Sequence, residues 1–267
     1  MRLSVFARTA RDQRRSMVAW AIGLVLLVGM YVGVYPSVKG SGSSFTKLID
    51  QMPKTFRALF TTGGGVDFTT PAGYLNTELL TFMGPMLVLV YAIGAGSALA
   101  GEEDRGTLDL LLANPIGRAR VLLEKFAALA AGVAVLMTAL WLALLVEGSA
   151  AGMDVPLAHA AAAVLHLGLL GVEFGALALL VGALTGRLAL ARAVPAGVAV
   201  AAYLVNGFAS IVSWLGPIRA SSPFYQYIGH DPLRTGLSPT AVLVSVLGIA
   251  VLVGLATASF RRRDVLT

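Results

Sequence analysis

The chain contains no cysteine. That absence excludes a disulfide framework, a thiolate metal site and a cysteine nucleophile. Charge is scarce too. Asp, Glu, Lys and Arg make up 13% of the 267 residues, where soluble domains carry about 25%. Apolar residues account for 57%, and the mean hydropathy is +0.80. A soluble domain of this length needs more charge on its surface, and an intrinsically disordered chain needs far less apolar content. No Gly-x-x-x-x-Gly-Lys-Ser/Thr run occurs, so the chain encodes no phosphate-cradling loop of that type. His-Glu-x-x-His is also missing. These exclusions leave an integral membrane protein of several helices.

A membrane-spanning helix needs roughly 20 mostly apolar residues. Stretches without charge predict six, at about 17–35, 79–101, 122–146, 157–185, 193–215 and 240–260, all within one transmembrane domain, 1–267. The fourth is interrupted only by Glu173. Arg8, Arg11, Arg14 and Arg15 precede the first span, as basic residues precede a signal peptide, but the apolar stretch is long for one and no small-x-small cleavage site follows Tyr35. The fold class expected is therefore an all-α bundle of six transmembrane helices.

Lys and Arg set the orientation. With the N-terminus inside, the inner segments hold Arg2, Arg8, Arg11, Arg14, Arg15, Arg105, Arg118, Arg120, Lys125, Arg187, Arg192 and Arg261 to Arg263. The outer ones hold only Lys39, Lys47, Lys54, Arg57, Arg219 and Arg234. Both termini are expected in the cytoplasm, and the net charge of +6 reports orientation, not nucleic-acid binding. The outer segment 36–76 turns amphipathic after Gly40 to Ser44. Phe45, Leu48, Ile49 and Met52, then Phe56, Leu59 and Phe60, recur at helical spacing, and Gly63-Gly64-Gly65 ends the pattern. In the last outer loop Phe224, Tyr225 and Tyr227 suit a membrane interface.

The most informative stretch is GEEDRGTLDLLLANPIGRARVLLEK, Gly101 to Lys125. Gly106 permits a turn, and Thr107 can cap a helix with Asp109 in its first turn. Leu108, Leu111 and Leu112 then form an apolar stripe, and Asn114-Pro115 stops the helix. Such a stripe wants a groove. It packs on the chain's own bundle or on lipid headgroups, or it docks a cytosolic partner by helix-in-groove contact with charged edges fixing register.

This stretch resembles the corresponding loop of ABC transporter permeases of the type-2 exporter family. The residues carrying the resemblance are Glu102, Glu103, Arg105, Gly106, Thr107, Leu108, Leu111, Leu112, Pro115, Arg118 and Lys125. MPKTFRALF, FTTPAGYLNTELLTFMGPMLVLVYAIGAGSALAGEE and SPFYQYIGHDPLRTGL are similar to other parts of such permeases. The resemblance implies a multi-pass permease subunit of the inner membrane. It would export a substrate with ATP and Mg handled by a separate nucleotide-binding ATPase subunit. The chain itself would be no enzyme and carry no cofactor. A second permease subunit, identical or related, would complete the transporter, and the lipid bilayer surrounds it. The loop 102–120 would carry the coupling helix, and Arg8 to Arg15 would lie along the inner interface as an amphipathic N-terminal helix.

Polar residues inside the spans support an alternative, an ion-coupled secondary transporter or an intramembrane enzyme. A carboxylate at the bilayer centre costs roughly 2.5–3.5 kcal/mol on insertion scales, so it faces the bundle or a watery cavity. His159, His166 and Glu173 are spaced by seven and share a helix face. They form a relay or a polar substrate contact, or they are satisfied by interhelical hydrogen bonds. They cannot share one metal ion, because each step rises about 10.5 Å. Glu173, His166, Asn206 and Ser210 are the candidate translocation-path residues. Catalysis has weaker support. The Glu-Glu-x-x-x-Arg pattern of prenyl-endopeptidase-like membrane proteins fails at Thr107, and nothing orients Ser221, Ser222 and His230. Gly84-Pro85 predicts a kink, and Gly168, Gly171 and Gly175 a small-residue packing face.

Overall fold

The computed structural model describes residues 4–53, 68, 70–113, 116–209 and 211–263, with the side chains of 42, 43, 45, 46, 48–50 and 112 outside the description. The described residues are all-α, and six helices are long and apolar enough to cross a membrane.

The first is α1, Val5–Asp50, 46 residues without a break. At 1.5 Å per residue it is roughly 70 Å long, over twice the ~30 Å hydrocarbon core. The helix therefore runs well past both limits, 17 and 35, of the expected span. No turn separates Arg8 to Arg15 from the crossing, because nothing between them breaks a helix. The helix also runs through Pro36 and Gly40, since one missing N–H is tolerated in a membrane helix where neighbouring groups re-satisfy the backbone. The segment 36–76 thus begins as helix, not loop. The apolar repeat expected at Phe56, Leu59 and Phe60 lies outside the described residues, as do the side chains of Phe45, Leu48 and Ile49.

The second crossing begins at Pro71, earlier than expected. It comprises α2, Pro71–Leu75, a π-helical stretch, Asn76–Met83, and α3, Gly84–Gly96. The Thr70 hydroxyl accepts from Gly73 N at 3.3 Å and caps it. The π stretch has a local cause. Gly84 N–H donates to Leu79 O, one residue further back than in an α-helix. The next such bond would run from residue 85 to Leu80 O, and residue 85 is proline, which has no N–H. Tyr227 supplies the missing donor: its buried hydroxyl donates to Leu80 O at 2.7 Å. Burial pushes the Tyr227 phenol well above its ordinary range, so it stays a neutral donor. A Cβ at Gly84 would stand 2.8 Å from Leu79 O, so glycine fits this widened turn best.

Then come α4, Ala98–Asp104, α5, Leu108–Leu112, α6, Arg118–Ala150, α7, Leu157–Thr185, and α8, Leu188–Phe208. A 3₁₀ turn, Ser213–Leu215, and the short helices α9, Gly216–Arg219, α10, Pro223–Ile228, and α11, Pro232–Thr235, lead to α12, Pro239–Arg262. The fifth crossing is shifted from 193–215. Gly186 adopts φ 68° and ends α7, so α8 restarts at once and is complete by Phe208. Arg187 and Arg192 belong to its beginning, which a search for charge-free residues leaves out.

Helix α7 is the hub, packed against α3, α4, α6, α8, α10, α11 and α12. Its glycines make that possible. A Cβ at Gly171 would stand 2.7 Å from Val88 of α3, and one at Gly175 2.7 Å from Leu129 of α6. At Gly96 a Cβ would fall 2.1 Å from the Gly175 carbonyl oxygen, so the two backbones are nearly in contact there. This is small-residue packing of the kind that substitutes for a hydrophobic driving force in lipid. The segment between α8 and α12 differs from expectation. Phe224 and Tyr227 do not face the interface but are buried, Phe224 between Phe174 of α7 and Tyr203 of α8. The Arg219 guanidinium lies over the Tyr225 ring, and the His230 ring is tilted against it.

Two predictions follow from these contacts. Tyr227→Phe strands a buried carbonyl and should cost about 1–3 kcal/mol in thermal unfolding in detergent. Pro85→Ala restores an N–H at that place, so the same Tyr227→Phe change in a Pro85→Ala background should cost clearly less. Equal costs in both backgrounds would refute the shared-acceptor account. Gly96→Ala should destabilise by about 1–3 kcal/mol through forced helix separation, whereas Gly94→Ala, with open space around its Cβ, should be neutral. Indistinguishable melting of the two would sink the close-contact argument.

Candidate functional site

The end of the bundle that holds both described chain ends is built around Gly101 to Lys125. A second apolar cluster forms there from Val5, Leu99, Leu108, Leu111, Val121, Leu122, Leu179, Ala183, Ala256 and Phe260. The start of α1, the end of α12 and helix α5 therefore share one end of the molecule. Phe6 N–H donates to Glu124 Oε2 at 2.9 Å, and Glu124 Oε1 accepts from Arg120 Nε at 2.8 Å, which ties α1 to α6.

The three acids after the second crossing each reach a different helix. Glu102 Oε1 accepts from Lys125 Nζ of α6 at 2.5 Å, and the lysine side chain is only 3% exposed. Glu103, whose side chain is 5% exposed, pairs with Arg263 at the end of α12. Asp104 Oδ2 accepts from the Leu188 N–H at the start of α8 at 3.2 Å. Arg118 donates to the Arg263 carbonyl, and Arg263 Nη1 donates to the Gly182 carbonyl in the last turn of α7 at 3.4 Å. Glu102, Glu103 and Arg118 are thus engaged within the chain. Arg105 and Gly106 stay exposed, and Gly106 turns at φ 65°.

Thr107 stands at the N-cap of α5, but its hydroxyl does not cap. It donates to Glu102 O at 3.1 Å, beside the Thr107 N–H to the same carbonyl at 2.9 Å. The hydroxyl closes the turn after α4 instead of opening α5. Leu108 and Leu111 of the expected stripe are buried in the chain's own cluster. The side chain of Leu112, and all of Pro115, lie outside the described residues. What α5 presents outward is Asp109, Leu110 and, just beyond it, Ala113. Leu110 is 72% exposed. Leu110 lies outside the apolar stripe that Leu108 and Leu111 form. A large apolar side chain on the polar face of a short helix was the available signal. Arg263 was passed over because it read only as one of three orienting charges.

The candidate path residues do not converge. His166 is buried, and its Nε2 accepts from Ser238 N–H at 3.3 Å. Glu173 lies against α12, where a Cβ at Gly248 would stand 3.1 Å from its carboxylate. His159 lies by Gly236. All three are covered by the segment 236–248. Asn206 is buried elsewhere and accepts from Arg219 Nε at 3.3 Å, and Ser210 lies outside the described residues. No group of three or more His, Cys, Asp or Glu able to hold a metal occurs among the described residues.

A family profile described as "ABC-2 family transporter protein" matches residues 3–265. The chain is also similar to two proteins named "Probable ABC transporter permease protein NosY". It is 44% identical to that of Stutzerimonas stutzeri over 98 residues, 34% of each chain. It is 46% identical to that of Pseudomonas aeruginosa over 65 residues, 24% of this chain and 22% of the relative. The aligned stretches thus span a third or less of these relatives.

The ion-pair cluster generates a prediction. Arg263→Gln leaves the Glu103 carboxylate buried without its cation and should cost about 3–5 kcal/mol in thermal unfolding. Adding Glu103→Gln should recover part of that loss. If Glu103→Gln costs the same with Arg263 present as in the Arg263→Gln background, the two side chains are not coupled.

Proposed function

The chain belongs to the ABC-2 family of transporter permeases, and we propose that it couples a separate nucleotide-binding ATPase subunit to export of a substrate across the inner membrane. The observation that carries the reading is the outward turn of Leu110. At an end where Leu108 and Leu111 are buried, Leu110 of α5 faces away from the bundle beside exposed Asp109. An apolar knob with a carboxylate beside it suits a groove on a partner protein. Loop 102–120 is then the coupling loop, with contact through Gly106, Asp109 and Leu110, while the Arg105 guanidinium turns back to the cavity at Gly101. Glu102, Glu103, Thr107, Leu108, Leu111 and Arg118 act by holding α5 rigidly on the bundle.

The same end carries Arg8, Arg11, Arg14, Arg15, Arg118, Arg120 and Arg261 to Arg263. That excess supports placing it, and both termini, in the cytoplasm, where ATP and Mg are available to the partner. Force applied to α5 would pass through the Glu102, Glu103 and Asp104 contacts into α6, α12 and α8 together. A second permease subunit, identical or related, would complete the path. Glu173 and His166 are assigned to the α7–α12 contact, so Glu173→Gln should act by altering that contact.

The test is co-purification from the native host with an ATPase assay. Leu110→Asp should lower nucleotide-binding subunit retention roughly tenfold or more, the equivalent of losing one buried leucine contact, with unchanged permease in the membrane. Leu111→Asp should instead lower the amount of folded permease. A stoichiometric, fully active complex of the Leu110→Asp variant would overturn the assignment.

A further inference from the structure

A cavity of about 310 Å³ opens between α1, α3, α4 and α8 at the end of the bundle that carries the termini. Its polar lining is cationic or neutral. Arg105 and Arg192 reach it, with Gln13, Ser16 and Ser97, and no carboxylate lines it. Arg192 Nε donates to Ser97 Oγ at 3.2 Å, which fixes the guanidinium by one edge. Among the described residues neither arginine has a carboxylate partner, although Glu102, Glu103 and Asp104 lie immediately before Arg105 in the chain. Those three acids are spent on Lys125, Arg263 and the Leu188 N–H. Two guanidinium groups at one cavity, without a carboxylate partner among the described residues, create a site for an anion that a planar donor fork can grip.

The cavity has an apolar continuation. Val90 of α3 lines it and also lines an apolar groove of about 450 Å³ between α3 and α8. That groove runs past Met86, Leu89, Ile93, Ala196 and Val200 towards Phe82 and Tyr203. Over Phe82 to Gly101 the second crossing rises roughly 28 Å at 1.5 Å per residue, enough for a phospholipid head and an acyl chain. Trp20 lines the polar cavity, and indole rings favour the depth of lipid headgroups. The polarity therefore changes along one continuous surface in the order of an amphiphile: cations, then an indole, then aliphatic side chains.

We propose that this surface holds an anionic phospholipid of the leaflet on the termini's side, with its phosphate at Arg105 and Arg192 and an acyl chain along the α3–α8 groove. Basic pockets between transmembrane helices bind such headgroups. Because Arg105 directly follows Asp104, which already holds the start of α8, the lipid adds a second bridge between α4 and α8. This inference does not depend on the ATPase reading, and its test contains no nucleotide.

The experiment is native mass spectrometry of the purified chain with equal phosphatidylglycerol and phosphatidylcholine of matched chains. Retention of phosphatidylglycerol should exceed that of phosphatidylcholine about tenfold. The Arg105→Gln/Arg192→Gln variant should lose this preference while its melting in pure phosphatidylcholine stays unchanged. Val90→Trp, which obstructs the junction and keeps both arginines, should also lower retention. Equal retention of the two lipids overturns the proposal, as does a preference that survives in either variant. If glycerol phosphate alone stabilises the protein as much as the lipid does, the site is for a small anion and the groove plays no part. If adducts form on single chains and vanish from a dimer, a second copy occupies the surface instead.

Discussion

Three consecutive carboxylates at the end of the second crossing constrain everything else at the end of the bundle that holds the termini. Glu102, Glu103 and Asp104 follow one another in sequence, yet they reach Lys125 of α6, Arg263 beyond α12 and the first N–H of α8. Helix geometry explains the fan. Successive residues point about 100° apart, so three in a row address three directions. A short helix ending among three neighbours can tie down all of them. Lys125 and Glu103 are almost fully buried, so the pairs need not stabilise the fold relative to an apolar substitute. What they impose is register, because each acid has one cation or N–H within reach and a helix sliding by one turn would strand a charge.

The other constraint is distance. Six helices in lipid gain little from burying one apolar surface against another, so association depends on how closely backbones approach. Helix α7 meets that demand with Gly171 and Gly175, the latter nearly touching Gly96 of α3. The π-helical stretch in the second crossing has a related origin. Pro85 removes a donor, and the open carbonyl of Leu80 is answered by Tyr227, a residue 147 positions away. The short helices between α8 and α12 are thereby anchored inside the bundle. Tyr227 points inward for a polar reason and Phe224 for an apolar one, which is why the aromatic cluster between α8 and α12 does not form an interface belt.

Much of this was legible before any coordinates. Long charge-free runs marked six crossings because lipid imposes the same requirement on every helix. Small residues at Gly168, Gly171 and Gly175 announced a contact face. Helix ends were less legible, since charge-free runs report where lipid is and not where the backbone stops being helical. Val5–Asp50 continues well past both limits of its apolar run, and Leu188–Phe208 starts among arginines. The acids of loop 102–120 are visible in the sequence, but their partners are not. Sequence shows that Glu103 is charged and cannot show that Arg263 stands beside it. The polar face of α7 was read correctly as shared by His159, His166 and Glu173. Its cover, the segment 236–248, comes from far along the chain.

The division of labour within α5 then follows from its shortness. A helix of Leu108–Leu112 has too few residues to form separate apolar and polar faces of any area. Two leucines are enough to seat it, Leu108 and Leu111 among Val5, Val121, Leu122 and Phe260. The Leu110 side chain on the far side is 72% exposed. Its exposure is a cost in water unless something covers it, and lipid does not reach past the arginines at this end if they mark the aqueous side. The rigid seating of Leu108 and Leu111 and the exposure of Leu110 are therefore two parts of one arrangement. On the coupling reading proposed above, a contact surface this small transmits displacement only if the element beneath it does not yield, and the ion pairs at Glu102 and Glu103 clamp the helix that leads into it.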